Sequence, residues 1–219
     1  MQKELPSRNI YTTTGPKKFR IHHADVMNGG GMQYGQEYPY IIKENYPNRL
    51  FHTCYEWCAG PGYMAFNILS HELCQNIFLT DIYDPGIEIA KQSARENNLL
   101  DKFNAYLLRD INLIPKNFRF DLVVANPPHY NEFQYDSIYT ASDNRRIRED
   151  PGWRSHIEFF NTITNYLTDD AVIILVENQE ASSSETFRPY IESNGLKIVN
   201  SIAAKICPDP VYFLIIEKA

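Results

Sequence analysis

The chain of 219 residues has few of the features that would assign it to a specialised class. Its four cysteines, Cys54, Cys58, Cys74 and Cys207, form no CxxC pair and have no histidines at metal-ligand intervals. That argues against a structural zinc and for reduced, buried thiols, so no metal is expected. No apolar stretch approaches the length of a bilayer span, and Met1-Gln2-Lys3-Glu4-Leu5-Pro6 lacks the apolar core of a signal peptide. The expectation is a cytoplasmic protein with no membrane partner. Positive charge is also lacking: 21 Lys and Arg against 27 Asp and Glu give a formal charge of −6, which disfavours a broad phosphate-binding face and hence nucleic acid as partner. A local exception is Arg145-Arg146-Ile147-Arg148, beside Glu149 and Asp150. No internal repeat or low-complexity tract is visible.

What is present is a folded, soluble composition, 43% apolar with 13 prolines spread along it. From about residue 50, β-type apolar runs alternate with helical patterns, as in a parallel sheet covered on both faces. Strands are expected at residues 50–56, 76–81, 103–108, 120–125 and 171–176. Helices are expected at residues 63–73, from Pro85 to about residue 98, at 154–167 and at 185–193, with Thr168-Asp169-Asp170 as a turn. The last two strands, residues 197–203 and 211–217, are separated only by a short segment around Cys207-Pro208-Asp209-Pro210, too short for a crossover helix, so they pair antiparallel. Alternation alone permits several doubly wound folds. Residues 1–49 show no long periodic run and are expected to be an arm covering the active site of a catalytic domain at 50–219.

The most informative segment is Asn126-Pro127-Pro128-His129, directly behind the apolar run Phe120-Asp121-Leu122-Val123-Val124-Ala125. Two prolines fix φ and donate no N–H, so the Asn126 side chain and the neighbouring carbonyls become acceptors aimed into a cleft. An NH2 group suits such a site. Upstream, a strand enters Glu56-Trp57-Cys58-Ala59-Gly60-Pro61-Gly62 and a helix follows, which allows a ligand close to the backbone at the helix N-terminus. The three glycines of a dinucleotide fingerprint are missing. Asp81 ends the next strand, placed to accept hydrogen bonds from vicinal ribose hydroxyls.

In this order the elements resemble a class I S-adenosylmethionine-dependent methyltransferase with an Asn-Pro-Pro-aromatic motif, over roughly residues 50–217. The resemblance implies an α/β, doubly wound, Rossmann-like seven-stranded sheet, mostly parallel with an antiparallel C-terminal hairpin. It implies S-adenosyl-L-methionine as cofactor, held by Glu56, Cys58, Gly60 and Gly62 at its methionine part, Asp81 at the ribose, Ile82 beside the adenine, and Asp110 at the adenine amino group, with Asn126 at the reacting end. A lone Asp at a strand end is also a common cap, and that reading of Asp110 stays open.

Methyl transfer from a sulfonium needs positioning more than a strong base. Asn126 Oδ1 and the Pro127 carbonyl would accept the two N–H bonds of an amine or amide and favour pyramidalisation as the new bond forms. The fourth motif position, ordinarily Tyr, Phe or Trp, is His129 here, followed by Tyr130. His129 could stack, act as an acid or base, or merely pack while Tyr130 supplies the platform. Residues 131–152 read as a substrate lid carrying Tyr139 and Arg145, and the segment around Gly29-Gly30-Gly31 as a second wall offering Tyr34, Gln36 and Glu37. The leading expectation is N-methylation of an amine or amide of a small molecule or protein. The alternatives are a cofactor-cleaving cyclase or lyase that releases methylthioadenosine, an RNA or DNA amino-group methyltransferase, and a protein that only senses the cofactor. The N-terminal tyrosines could equally make a homodimer surface.

Overall fold

The computed structural model describes residues 9–24, 27, 31–131 and 148–219. Along the chain lie β1 (Asn9–Thr12), β2 (Arg20–His23), α1 (Gly31–Asn45), β3 (Phe51–Trp57), α2 (Tyr63–Ser70), β4 (Cys74–Asp81), α3 (Asp84–Glu96), β5 (Phe103–Leu107) and β6 (Phe120–Ala125). They are followed by α4 (Arg154–Ile163), β7 (Leu167–Asn178), α5 (Ser184–Glu192), β8 (Leu196–Ala203) and β9 (Val211–Lys218). The main sheet has seven strands in the order β5-β4-β3-β6-β7-β9-β8. Strands β5 through β7 are parallel, and β9 runs antiparallel to both β7 and β8. The expected fold class is the one found.

Alternation along each central strand divides the core. On β7, Val172, Ile174 and Val176 face the layer of α1, α2 and α3, while Ile173 and Leu175 face α4 and α5. Because both faces are buried, the strand sequence is continuously apolar, as in parallel sheets generally. Local signals set the helix starts: Gly62 at φ 86° precedes α2, Pro85 opens α3, and a reciprocal Ser183–Thr186 capping box opens α5. No helix among the described residues is long and apolar enough to cross a membrane.

Two expectations need correction. Thr168-Asp169-Asp170 is part of β7, not a turn, and α4 ends at Ile163 in a single 3-10 turn, Thr164–Tyr166. The pairing of β6 with β7 is irregular between Phe120 and Leu122, so the strand extends past the point where its apolar pattern begins. The N-terminal segment also carries more order than its sequence suggests. β1 and β2 form a hairpin in which the β2 backbone is held by Ser93 of α3 and by Asn97, which caps that helix.

Helix α1 buries Tyr34, Tyr38, Ile41 and Ile42, spaced as one helical face. Its glycines permit a close approach to α2: a Cβ on Gly35 would lie 3.0 Å from the Tyr63 carbonyl, and one on Gly31 would meet the Tyr63 ring at 3.1 Å.

Candidate active site

The strand order reverses between β3 and β6. Chains β3, β4 and β5 step outward on one side, and β6 returns to pair with β3 on the other. A crevice opens at such a switch point, beyond the carboxyl ends of the two strands. Trp57 pairs with Ala125 in register, so the glycine loop and the Asn-Pro-Pro loop leave the sheet side by side. The two motifs, about 70 residues apart in sequence, meet because parallel pairing aligns the strand ends.

The glycine loop is tied down from several directions. Cys58, Gly60 and Gly62 all have positive φ, at 56°, 50° and 86°. Gly62 also lacks room, since a Cβ there would lie 2.8 Å from Leu79 Cδ1. Ala59 N donates to Thr80 O at 3.0 Å, and Gly60 N to Asp81 Oδ2 at 2.6 Å. Asp81 Oδ1 accepts from Tyr83 N at 2.8 Å. The carboxylate retains lone-pair capacity for a ligand beyond these amides. Burial raises the Asp81 carboxyl above its usual range, against the lowering effect of the Gly60, Tyr83 and Ile82 amides. Ile82 and Tyr83 are exposed beside it.

Glu56 stands apart from open space. It is fully buried and accepts from Ala65 N at 2.7 Å and Met64 N at 3.4 Å, holding the first turn of α2. Burial pushes its carboxyl up to about 8, although those two amides work downward. Asp110 is exposed and caps the next short turn through Asn112 N. Cys58 is half-buried; burial raises its thiol, and the charges of Asp81, Asp150, Glu177 and Glu56 add to that.

Asn126 is half-buried at the end of β6, and the loop is fixed from α1: the fully buried Tyr38 O–H donates to Ala125 O at 2.6 Å, with the Ile174 carbonyl at 3.2 Å. The N-terminus of α1 comes close, for a Cβ on Gly31 would be 3.9 Å from Asn126 Nδ2. Tyr130 closes the base of the following segment by backbone bonds to Arg148 O and from Asp150 N, and its hydroxyl accepts from Asn178 Nδ2 at 3.2 Å. Tyr139 and Arg145, most of the proposed lid, and Gly29 and Gly30 lie outside the described residues.

The polar groups expected on the N-terminal wall are mostly engaged within the protein. Tyr34 is buried, donates to Asp209 Oδ2 at 3.1 Å and sets its ring edge against His129, centroids 6.2 Å apart. Gln36 donates to Met32 O within its own helix. Buried Glu37 accepts from the backbone amides of Ile206 at 2.9 Å and Cys207 at 3.1 Å, and also from Lys205, anchoring the β8–β9 turn.

The sequence reading missed a chain of four buried ionisable groups. Asp150 Oδ2 lies 2.6 Å from His156 Nδ1, and His156 Nε2 lies 2.9 Å from Glu177 Oε1. Glu177 Oε2 is 3.5 Å from His129 Nδ1. Asp150 also accepts from the amides of Ser155 and His156. Burial alone would lower His156, but Glu177 and Asp150 on its two ring nitrogens raise it to about 9. Phe187 stacks on the ring at 4.7 Å, which also suits a cation. Burial raises Glu177 and Asp150, but their histidine partners outweigh it and hold both carboxyls below their usual range. The group is therefore Asp−, His+, Glu−, ending on His129.

These shifts fix a pH dependence of stability. His156, raised from 6.5 to about 9, contributes stability that is complete below pH 6.5 and lost as pH rises through 9. Glu56, raised from 4.5 to about 8, adds a cost that grows across that interval, since the unfolded chain ionises it first. Asp150 and Glu177 lose their contribution as pH falls through the carboxylate range. The thermal midpoint is thus expected to fall between pH 6.5 and 9.5, by several degrees. A flat or rising midpoint there would contradict the charge assignment of His156.

The sheet order, the antiparallel C-terminal hairpin and the glycine loop at the switch point define the class I S-adenosylmethionine-dependent methyltransferase fold. No known family's sequence profile matches the chain. Over 74 residues it is 38% identical to the ribosomal RNA small subunit methyltransferase C of Buchnera aphidicola subsp. Cinara cedri. That match spans 33% of this chain and 20% of the relative, about a fifth of its length.

Among solved structures, a methyltransferase from Clostridium acetobutylicum aligns with TM-score 0.60 at 14% identity, over 85% of this chain and 92% of that one. The ribosomal protein L11 methylase of Lactobacillus delbrueckii subsp. bulgaricus aligns with TM-score 0.57 at 15% identity, over 82% and 76%. M. capricolum TrmK, solved with S-adenosyl-homocysteine, aligns with TM-score 0.58 at 10% identity, over 82% and 68%. At these identities the structural likeness is one of fold. The ribosomal RNA enzyme in this set runs against the expectation that nucleic acid is disfavoured as a partner.

Proposed function

We propose that the protein is an S-adenosylmethionine-dependent N-methyltransferase acting on a planar amino group. The observation that carries this reading is the register pair Trp57–Ala125, which brings the glycine loop and Asn126-Pro127-Pro128-His129 to one crevice. The cofactor's methionine part would lie along Cys58, Gly60 and Gly62, its ribose against the spare lone pairs of Asp81, and its adenine beside Ile82, with Asp110 in reach of the adenine amino group. Glu56 would act one step back by holding the helix that bounds the site. Asn126 and the Pro127 carbonyl would accept the two N–H bonds of the acceptor. His129 and Tyr130 would bound its planar face, with Tyr34 further out; Tyr139 and Arg145 are proposed as further acceptor-binding residues.

The cofactor supplies an electrophilic methyl group; the chain's own task is to exclude water, orient the amine and accept its hydrogen bonds. The ribosomal RNA relative supports RNA as the acceptor. The formal charge of −6 supports a small-molecule or protein amine or amide instead.

Incubation with methyl-labelled S-adenosylmethionine and, separately, ribosomal RNA, protein and small-molecule extracts decides among these. S-adenosylhomocysteine formed only with one pool supports the reading and names the acceptor class. Methylthioadenosine formed without any pool indicates intramolecular cleavage, and no turnover or binding sinks both enzyme readings. Asp81→Ala is expected to weaken cofactor binding by ~2–3 kcal/mol, the scale for removing a charged acceptor of hydrogen bonds. An unchanged dissociation constant by calorimetry in the folded variant would remove Asp81 from the ribose.

A further inference from the structure

His129 Nε2 is buried and has no hydrogen-bond partner among the described residues. A polar atom left so inside a protein is unfavourable until a partner reaches it, and a bound acceptor is one such partner. The other ring nitrogen faces Glu177 Oε2 at 3.5 Å. Glu177 is ionised and can only accept, so the ring proton belongs on Nδ1 and the lone pair on Nε2. Glu177 is fixed in turn by the His156 cation at 2.9 Å, and His156 by Asp150 at 2.6 Å. Among the described residues, Glu177 from β7 and Tyr34 from α1 face His129, with His156 of α4 behind Glu177 and Asp209 behind Tyr34.

We propose that Asp150, His156 and Glu177 hold His129 in its Nδ1–H form, so that as the N–CH3 bond forms its Nε2 lone pair takes over the acceptor proton that the Pro127 carbonyl holds by hydrogen bond, making His129 the proton acceptor in methyl transfer. The assignment rests on the N-methyltransferase reading above. The acceptor nitrogen forms the N–CH3 bond as the C–S bond breaks, its electron pair remaining on sulfur as S-adenosylhomocysteine. The acceptor's N–H proton passes to Nε2, and the resulting imidazolium is balanced by the Glu177 carboxylate until the proton leaves to water. Glu177, His156 and Asp150 are positioning residues in this scheme. An aromatic hydrocarbon at position 129 would stack but could not take the proton.

Long-range nitrogen–proton spectra of the 15N-labelled protein test the arrangement without an acceptor. The expected result is neutral His129 as the Nδ1–H form and His156 protonated on both nitrogens at neutral pH, with the His129 preference lost in Glu177→Gln. An Nε2–H form of His129 in the native protein, or an unchanged preference in a folded Glu177→Gln variant, overturns the proposal. If Glu177→Gln does not fold, the native spectrum alone decides this part.

Activity is then read with methyl-labelled cofactor and the ribosomal RNA, protein or small-molecule pool that accepts methyl from the native protein. His129→Phe is expected to keep cofactor affinity and lose about 10²-fold or more in turnover, with partial recovery by added imidazole in His129→Ala. Native turnover in His129→Phe shows a stacking role alone and overturns the proposal. Absence of transfer to any pool by the native protein removes the N-methyltransferase reading, and with it the proton-acceptor role, even where the spectra show the expected ring form.

Discussion

Asn126→Ala is expected to lower turnover by about 10²-fold or more while leaving S-adenosylmethionine affinity nearly intact, the size found when one preorganised hydrogen-bonding group for the transition state is removed. The separation follows from position. Asn126 stands at the end of β6, whereas the proposed cofactor cradle is built on the β3 loop and the end of β4. Binding would therefore lose little when the Asn126 amide is gone, but the acceptor nitrogen would lose the group proposed to direct its lone pair at the methyl. Tyr38 keeps the loop in place in the variant, since it holds the backbone carbonyl of Ala125. Single-turnover kinetics with calorimetry on the same preparation measure both quantities. Native turnover, or parallel loss of binding and turnover, would make Asn126 structural and sink the amine-acceptor reading.

Glu177→Ala is expected to destabilise the protein by roughly 3–5 kcal/mol near neutral pH, because it leaves the buried His156 cation with only Asp150 as partner and His129 with none on Nδ1. Surface pairs offer the contrast. Removing Glu185, paired to exposed Arg188 on α5, should cost far less, because solvent screens an exposed pair. Denaturant unfolding of the two variants gives the comparison directly. Should Glu177→Ala cost no more than Glu185→Ala, the buried chain would not be ionised as described.

Much of the framework could be read from the residues because local and global signals agree in it. The run Phe120–Ala125 is β6 to the residue, and Cys58, Gly60 and Gly62 occur where the backbone takes positive φ. Helix α1 was hidden by composition: Gly31, Gly35 and Pro39 argue against a helix, yet Tyr34, Tyr38, Ile41 and Ile42 fall on one face. The glycines serve close packing against Tyr63, which no single sequence displays.

The buried chain was unreadable for a different reason. Asp150 stands before a short turn, His156 on a helix face and Glu177 at the end of β7, and only the fold brings them together. One signal was available. A carboxylate directly after the run Ala171–Val176 sits at the carboxyl end of a central strand, where doubly wound folds place their sites. The Asp81 prediction had a similar gap, since the acid that would meet the ribose also fastens Gly60 N to the sheet.

The most direct measurement of the central claim is a crystal structure grown with S-adenosylhomocysteine. The expected result is ribose hydroxyls on Asp81, the amino-acid part along Cys58–Gly62, and the sulfur turned toward Asn126 and His129. A product molecule seated elsewhere, or a crevice that does not take it up at saturating concentration, would contradict the account.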